Sequence, residues 1–187
     1  MDSKVKKMIL VSLFSALTAI GGFFKIPLPP VPFTLQIFFV VLSGLLLGGR
    51  LGFLSQAIYI TLGLIGVPIF AYGGGLNYIF NPTFGYLIGF SIAAFIIGKG
   101  TEKSDKVTFK NAFLYSFIGL IVSYIIGVPY LYIIFKYVNG TGITFLGAIK
   151  SGFLLFLPWD LIKIGFAAWI AKQVVGRVGS VVGVRSD

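Results

Sequence analysis

Residues 151–171 read SGFLLFLPWDLIKIGFAAWIA, a stretch long and apolar enough to cross a membrane as one helix. Two charged residues, Asp160 and Lys163, lie inside it. A charge at the centre of a membrane helix costs about 2.5–3.5 kcal/mol on insertion scales. A pair of charges at this depth therefore has to be explained by packing or by function.

The rest of the chain has the same apolar character. Of its 187 residues, 57% are hydrophobic and only 11% are charged. A soluble domain of this size cannot keep so much apolar surface from water, so the composition predicts an all-α integral membrane protein. The length predicts one membrane-embedded domain over residues 1–187.

Apolar runs separated by Pro, Gly and charged residues predict six transmembrane helices in one bundle. Their predicted ranges are 8–24, 33–47, 51–65, 83–97, 112–138 and 145–175. The first resembles a signal peptide, but no small-residue cleavage site follows it, so we expect a retained helix.

The lysines and arginines indicate the orientation of this bundle. With both termini cytoplasmic, only four of the 15 basic residues lie away from the cytoplasmic side, namely Lys25, Lys136, Lys150 and Lys163. The positive charge is spread over loops rather than over one face, which argues against nucleic-acid binding.

The residue types that are missing exclude several functions. The chain has no Cys and no His, which removes thiol nucleophiles, imidazole bases and His-ligated metal sites. Among its five carboxylates, only Asp160 falls within a predicted membrane helix. We therefore expect no catalytic residues, no metal and no cofactor. The chain also has no Walker A sequence, so any ATP is expected to be hydrolysed by another subunit.

Asp160 and Lys163 lie three residues apart and so on one face of a helix, which Pro158 is expected to bend. The pair can be a structural ion pair, a polar ligand site or part of a proton relay. A relay is disfavoured because no His or second acid accompanies it.

Residues 71–78, AYGGGLNY, combine Gly73, Gly74 and Gly75 with Asn77. Glycines let backbone N–H groups approach a ligand, and an Asn amide both donates and accepts hydrogen bonds. A flexible outer turn explains the same pattern. Residues 25–36, KIPLPPVPFTLQ, predict a stiff segment, which suits either the mouth of a cavity or a rigid connection between helices. The amide of Gln36, at the end of this segment, can face the cavity.

Two further groups of residues are candidates from their positions. Among the many aromatic residues, Trp159 and Tyr86 are candidates for enclosing a ligand ring, although most aromatics of this kind lie at the membrane interface. In the first helix, Ser12 with Ala16 and Ser15 with Ala19 form small-xxx-small pairs, which suit either docking of a partner helix or packing within this bundle.

Four blocks of the sequence resemble the BioY family, the biotin-binding S components of energy-coupling factor transporters. They are IPLPPVPFTLQ, GLLLGGRLGFLSQAIYITLGLIGVPIFA, NPTFGYLIGF and LPWDLIKI, in the order and spacing of that family. SALTA in the first helix resembles the motif by which S components dock. The reading NPTFGY departs from an expected GPTGGY at Asn81 and Phe84.

The resemblance implies a six-helix fold in the cell membrane of a prokaryote and a biotin site near the outer face. It implies a transmembrane coupling subunit and two ABC-type ATPases as partners, with ATP hydrolysis on those partners. It also places Asp160 and Asn77 at the ureido ring of biotin. For Lys163 three roles stay open: orienting Asp160, donating to the ureido oxygen, or binding the carboxylate of biotin.

Two alternatives accompany this interpretation. An S component or carrier for another small vitamin would keep the fold and change the ligand. An intramembrane enzyme is disfavoured, because a lone acid supplies neither a nucleophile–base pair nor a metal cage.

Overall fold

The protein is a bundle of helices, seen in a computed structural model that describes residues 3–102 and 107–182. Several charged residues considered above lie outside the described residues: Asp2, Lys103, Asp105, Lys106, Arg185 and Asp187, together with the side chain of Arg177.

Within these two ranges, six α-helices and one small β-hairpin follow one another along the chain. The helices are α1 (Ser3–Phe23), α2 (Gln36–Leu64), α3 (Phe84–Glu102), α4 (Phe109–Ile133), α5 (Phe145–Ile149) and α6 (Leu157–Val182). Strands β1 (Lys25–Ile26) and β2 (Phe33–Thr34) pair antiparallel between α1 and α2. A 3-10 helix covers Leu76–Phe80, and π-helical turns cover Ile134–Val138 and Lys150–Leu154.

Five helical stretches within the described residues are long and apolar enough to cross a membrane. They are Lys4–Phe23, Gln36–Leu64, Phe84–Glu102, Phe109–Val138 and Phe145–Val175. The difference from the six predicted segments lies in α2, which contains both the second and the third of them. The last stretch is interrupted at residues 155–156, directly before Pro158.

Helix α2 folds back on itself at Gly48. Gly48 has φ 81° and ψ 174°, a conformation that residues with a Cβ rarely adopt. The amide Nε2 of Gln36 donates to the hydroxyl of Tyr59 at 2.7 Å. In a straight helix those two residues would lie about 35 Å apart along the axis. The arms before and after Gly48 are therefore antiparallel neighbours, which agrees with the predicted break at the GGR sequence.

The turn at Gly48 is fastened to the end of α3. One oxygen of the Glu102 carboxylate accepts from the backbone N–H of Gly49 at 2.7 Å, and the other lies 2.6 Å from the ammonium of Lys99. A carboxylate on a free backbone N–H satisfies a donor that the interrupted helix leaves without an intrahelical partner. Glu102 thus joins the two helices at this end of the bundle.

Glycines bring neighbouring helices into close contact. A Cβ on Gly98 of α3 would lie 2.1 Å from the backbone nitrogen of Gly49 in α2. A Cβ on Gly89 would lie 2.8 Å from the Cα of Ser123 in α4. Small residues at crossings are typical of membrane bundles, where close backbone packing rather than the hydrophobic effect holds the helices together.

Two loops meet where the first and last residues of α2 lie side by side, at the end of the bundle away from the Gly48 turn. The proline loop, residues 24–35, carries β1 and β2, and the glycine loop, residues 65–83, carries the 3-10 helix. The ammonium of Lys25 in the proline loop donates to the carbonyl of Ala71 in the glycine loop. These loops and the helix ends beneath them surround a cavity.

Candidate functional site

The cavity collects residues that lie far apart in the sequence, from Val31 to Lys163. It is lined by β2 and the residues before it, the start of α2, the glycine loop, α3, α4, the π-helical turn before α6, and α6 itself. The polar and aromatic residues of its wall are Thr34, Gln36, Tyr78, Thr83, Tyr86, Phe90, Ser123, Tyr124, Phe156, Asp160 and Lys163.

Asp160 and Lys163 form an ion pair in the wall of this cavity. Oδ1 of Asp160 lies 2.7 Å from Nζ of Lys163, and the two residues are 8% and 9% exposed. Both belong to the first two turns of α6, where the i,i+3 spacing places them on the same face. The pair is therefore buried in the protein and faces the cavity rather than lipid.

Tyr124 of α4 completes the hydrogen bonding of Asp160. Its hydroxyl donates to Oδ2 at 2.5 Å, so each oxygen of the carboxylate has one donor. A carboxylate has about four lone-pair directions, which leaves room for two further donors from a ligand. Tyr124 is not among the site residues predicted from the sequence, because α4 is hydrophobic around most of its circumference and shows little amphipathic pattern.

Lys163 also connects α6 to the proline loop. Its ammonium donates to the carbonyl of Thr34 at 2.7 Å and lies 3.7 Å from the ring centroid of Phe33. A lysine ammonium has three N–H donors, of which Asp160 and Thr34 take two. One donor remains for a ligand, and the Phe33 ring adds a cation–π contact.

Gln36 and Tyr86 line the cavity as well. Gln36 is buried, and its amide nitrogen donates to Tyr59, whose hydroxyl in turn donates to the carbonyl of Ile69 at 3.2 Å. The hydroxyl of Tyr86 donates to the carbonyl of Gly152 at 2.8 Å, and its ring meets the Tyr124 ring edge-on. These bonds hold both side chains in one orientation.

The glycine triplet and Asn77 lie apart from the cavity. Gly73 and Gly75 have φ values of 112° and 99°, which explains the need for glycine there. Asn77 is exposed, and with Gly74 and Gly75 it lines a separate shallow cleft. Ala71 and Tyr78, the first and last residues of AYGGGLNY, do line the cavity. Contact of the triplet or Asn77 with a ligand stays a prediction.

Trp159 points away from the cavity wall. It is 57% exposed, although the edge of its ring system packs against Phe33, with 6.1 Å between ring centroids. Phe33 is the residue under the Lys163 ammonium, so Trp159 supports the site through Phe33. Its direct contact with a ligand also stays a prediction.

The four small residues of α1 divide into two pairs by burial. Ser15 and Ala19 are buried and pack inside the bundle. Ser12 and Ala16 are exposed, one turn apart on the outer face of α1. Only the exposed pair leaves a small-residue face that a partner helix could approach.

The profile of the BioY family matches residues 1–180. The chain belongs to the BioY family. Among its relatives, the probable biotin transporter BioY of Pyrococcus horikoshii is 42% identical over 175 residues, which are 93% of this chain and 99% of that protein. The biotin transporter BioY of Thermotoga maritima is 40% identical over 171 residues, 91% of this chain and 96% of that protein.

A shorter match and a solved structure agree with the family assignment. The probable biotin transporter BioY of Lysinibacillus sphaericus is 54% identical over 126 residues, 67% of this chain and 64% of that protein. A 2.1 Å crystal structure of the S component for biotin from an ECF-type ABC transporter matches with a TM-score of 0.81 and 28% identity. That match covers 91% of each chain, so the fold is shared over nearly the whole length.

The structure also explains the departure from the expected BioY motif at NPTFGY. Asn81 accepts from the backbone N–H of Thr83 at 3.0 Å and from its hydroxyl at 2.7 Å. The Thr83 hydroxyl also contacts the hydroxyl of Tyr78 at 3.0 Å, and burial raises the pKa of Tyr78. Phe84 is buried against the rings of Tyr78 and Tyr130. Asn81 therefore has a hydrogen-bonded position and Phe84 a packed one at the start of α3.

Proposed function

We propose that this chain is the high-affinity biotin-binding subunit, or S component, of an energy-coupling factor transporter. It captures biotin from outside and delivers it for ATP-driven uptake. The observation that carries the proposal is the buried pair of Asp160 and Lys163 in the cavity of a BioY-family chain. The names of its relatives support the same ligand.

The free hydrogen-bonding positions of this pair match the ureido group of biotin. That group has two N–H donors and one carbonyl acceptor. Asp160 has two lone-pair directions left after Tyr124 and Lys163, and Lys163 has one donor left after Asp160 and Thr34. The two ureido N–H groups would donate to the Asp160 carboxylate, and the ureido carbonyl would accept from the Lys163 ammonium, which uses all three of these free positions. Phe90 and Phe156 make the surrounding walls apolar.

The contacts of α2 support six membrane crossings with both termini in the cytoplasm. Because the chain turns back at Gly48, its two arms run in opposite directions and bring the proline loop beside the glycine loop. A single crossing by α2 would put these loops on opposite sides of the membrane. With the Gly48 turn cytoplasmic, the cavity mouth faces outside, in the cell membrane of a prokaryote.

The partners in this proposal are a transmembrane coupling subunit and two ABC-type ATPases. The chain itself has no Walker A sequence for hydrolysing ATP. The exposed face of α1 that carries Ser12 and Ala16 is the proposed docking surface for the coupling subunit. This chain is accordingly the non-catalytic subunit of the transporter.

Calorimetric titration of the purified protein tests the ligand. Biotin should bind saturably, while thiamine and riboflavin should not.

Asp160→Asn should remove binding, because an Asn offers one acceptor oxygen and its amide N–H groups oppose those of the ureido ring. Glu102→Gln is the matched control, since Glu102 is the other carboxylate among the described side chains and does not line the cavity. Absence of saturable biotin binding by the wild-type protein would refute the proposed function.

A further inference from the structure

We propose that Lys25, in β1 of the proline loop, binds the carboxylate of biotin at the mouth of the cavity. The inference rests on the proposed function, because it assigns one more group of the same ligand. It makes Lys25 the residue that distinguishes the free acid from neutral derivatives.

Lys25 is held between two residues of the cavity wall. In the β-hairpin it pairs with Thr34, and its ammonium donates to the carbonyl of Ala71. Thr34 and Ala71 both line the cavity, from the proline loop and from the glycine loop respectively. Lys25 itself is exposed. The ammonium therefore lies at the rim, where the wall opens to solvent.

The charges inside the cavity leave the carboxylate of biotin without a partner there. Asp160 and Lys163 are the acid and the base of the lining, and they neutralise each other at 2.7 Å. A ligand with one negative charge therefore needs a cation from beyond the lining. Lys163 is an unsuitable partner for it, because two of its three donors are already used deep in the wall.

Lys25 has the charge to supply this contact. Within the described part of the chain it makes no ion pair, and its partners are the neutral carbonyl of Ala71 and the ring of Tyr72, 4.9 Å away. A charge-assisted hydrogen bond to a carboxylate is stronger than one to a neutral carbonyl. A biotin molecule can therefore place its carboxylate on the Lys25 ammonium while its ureido ring reaches Asp160.

The test compares biotin with biotin amide, in which the carboxylate is replaced by a neutral carboxamide. Dissociation constants are measured for the wild-type protein, Lys25→Gln and Lys25→Arg. Lys136→Gln is the matched control. Lys136 is another exposed lysine that donates to an oxygen, the hydroxyl of Tyr132, and lies over a tyrosine ring, but Tyr132 does not line the cavity as Ala71 does.

Lys25→Gln should weaken biotin binding about tenfold or more, the usual range for a lost hydrogen bond to a charged group, and leave biotin amide unchanged. Lys25→Arg should keep most of the affinity for biotin, and Lys136→Gln should bind both ligands like the wild type. An equal loss for both ligands would overturn the proposal, since Lys25 would then act only by holding the two loops together. No loss for either ligand would overturn it too. Failure of the wild type to bind biotin would instead overturn the proposed function itself.

Discussion

Asp160 and Lys163 are stable at this depth because the protein supplies what water would otherwise supply. Each oxygen of Asp160 has a donor, and the ammonium of Lys163 has two acceptors and an aromatic ring. Even so, desolvation of two charges is rarely repaid in full by their mutual attraction. The pair therefore stabilises the fold little beyond a neutral replacement, and binding of a ligand is the better reason for its presence.

A double-mutant cycle tests that balance. Asp160→Asn and Lys163→Met each leave one buried charge without its counter-charge, and each should lower the free energy of unfolding by about 3 kcal/mol or more. The combined variant removes both charges and should lie much closer to the wild type than the sum of the two losses. Thermal unfolding of the detergent-purified proteins, without ligand, gives the comparison. Additive losses would mean that the two side chains do not interact energetically.

The residues of this site differ in how well the sequence predicts them. Asp160 and Lys163 are conspicuous because charges are rare in an apolar run, and their spacing alone puts them on one face. Tyr124 contacts Asp160 across 36 residues of sequence, from a helix with little amphipathic pattern, so its own sequence neighbourhood does not predict the contact. Asn77 has suitable chemistry, but the path of the glycine loop turns it to the outside, and loop paths are not set by local sequence alone.

At the level of the helices, the break in α2 was predicted, but the contact that fixes it was not. The sequence GGR stops an apolar run, and Gly48 takes a positive φ that favours glycine. The sequence pattern does not reveal that Glu102 fixes this turn. The carboxylate of Glu102 contacts Gly49 from the end of α3. The tertiary contact, rather than propensity, keeps the two arms together.

Helix α1 offers a direct test of the docking surface. Ala16→Trp should abolish ATP-driven uptake by the assembled transporter while leaving biotin binding unchanged, because a large side chain at this exposed position blocks close approach of a partner helix. Leu114→Trp on α4, also at an exposed position, is the control and should transport normally. Normal uptake by Ala16→Trp would show that the coupling subunit docks on a different surface.

Considered as a whole, the molecule places its fixed and its open parts at opposite ends. One end is closed by the Gly48 turn and the Glu102 contact, with glycines packing α2 against α3. The other end holds the proline and glycine loops, which touch through Lys25 and Ala71 above the cavity. Such a division suits a subunit that admits a ligand from one side only.

The orientation of the whole chain can be measured directly because the protein has no cysteine. Single cysteines at Leu28, Asn77 and Gly142, each at an exposed position, should react with a membrane-impermeant maleimide in intact cells. A cysteine at Arg50, beside the Gly48 turn, should react only after permeabilisation if the chain makes the six proposed crossings, which place that turn in the cytoplasm. If α2 crossed the membrane once, positions 28 and 77 would label from opposite sides. Labelling of both from outside therefore supports the fold-back, and with it a cavity that opens where biotin arrives.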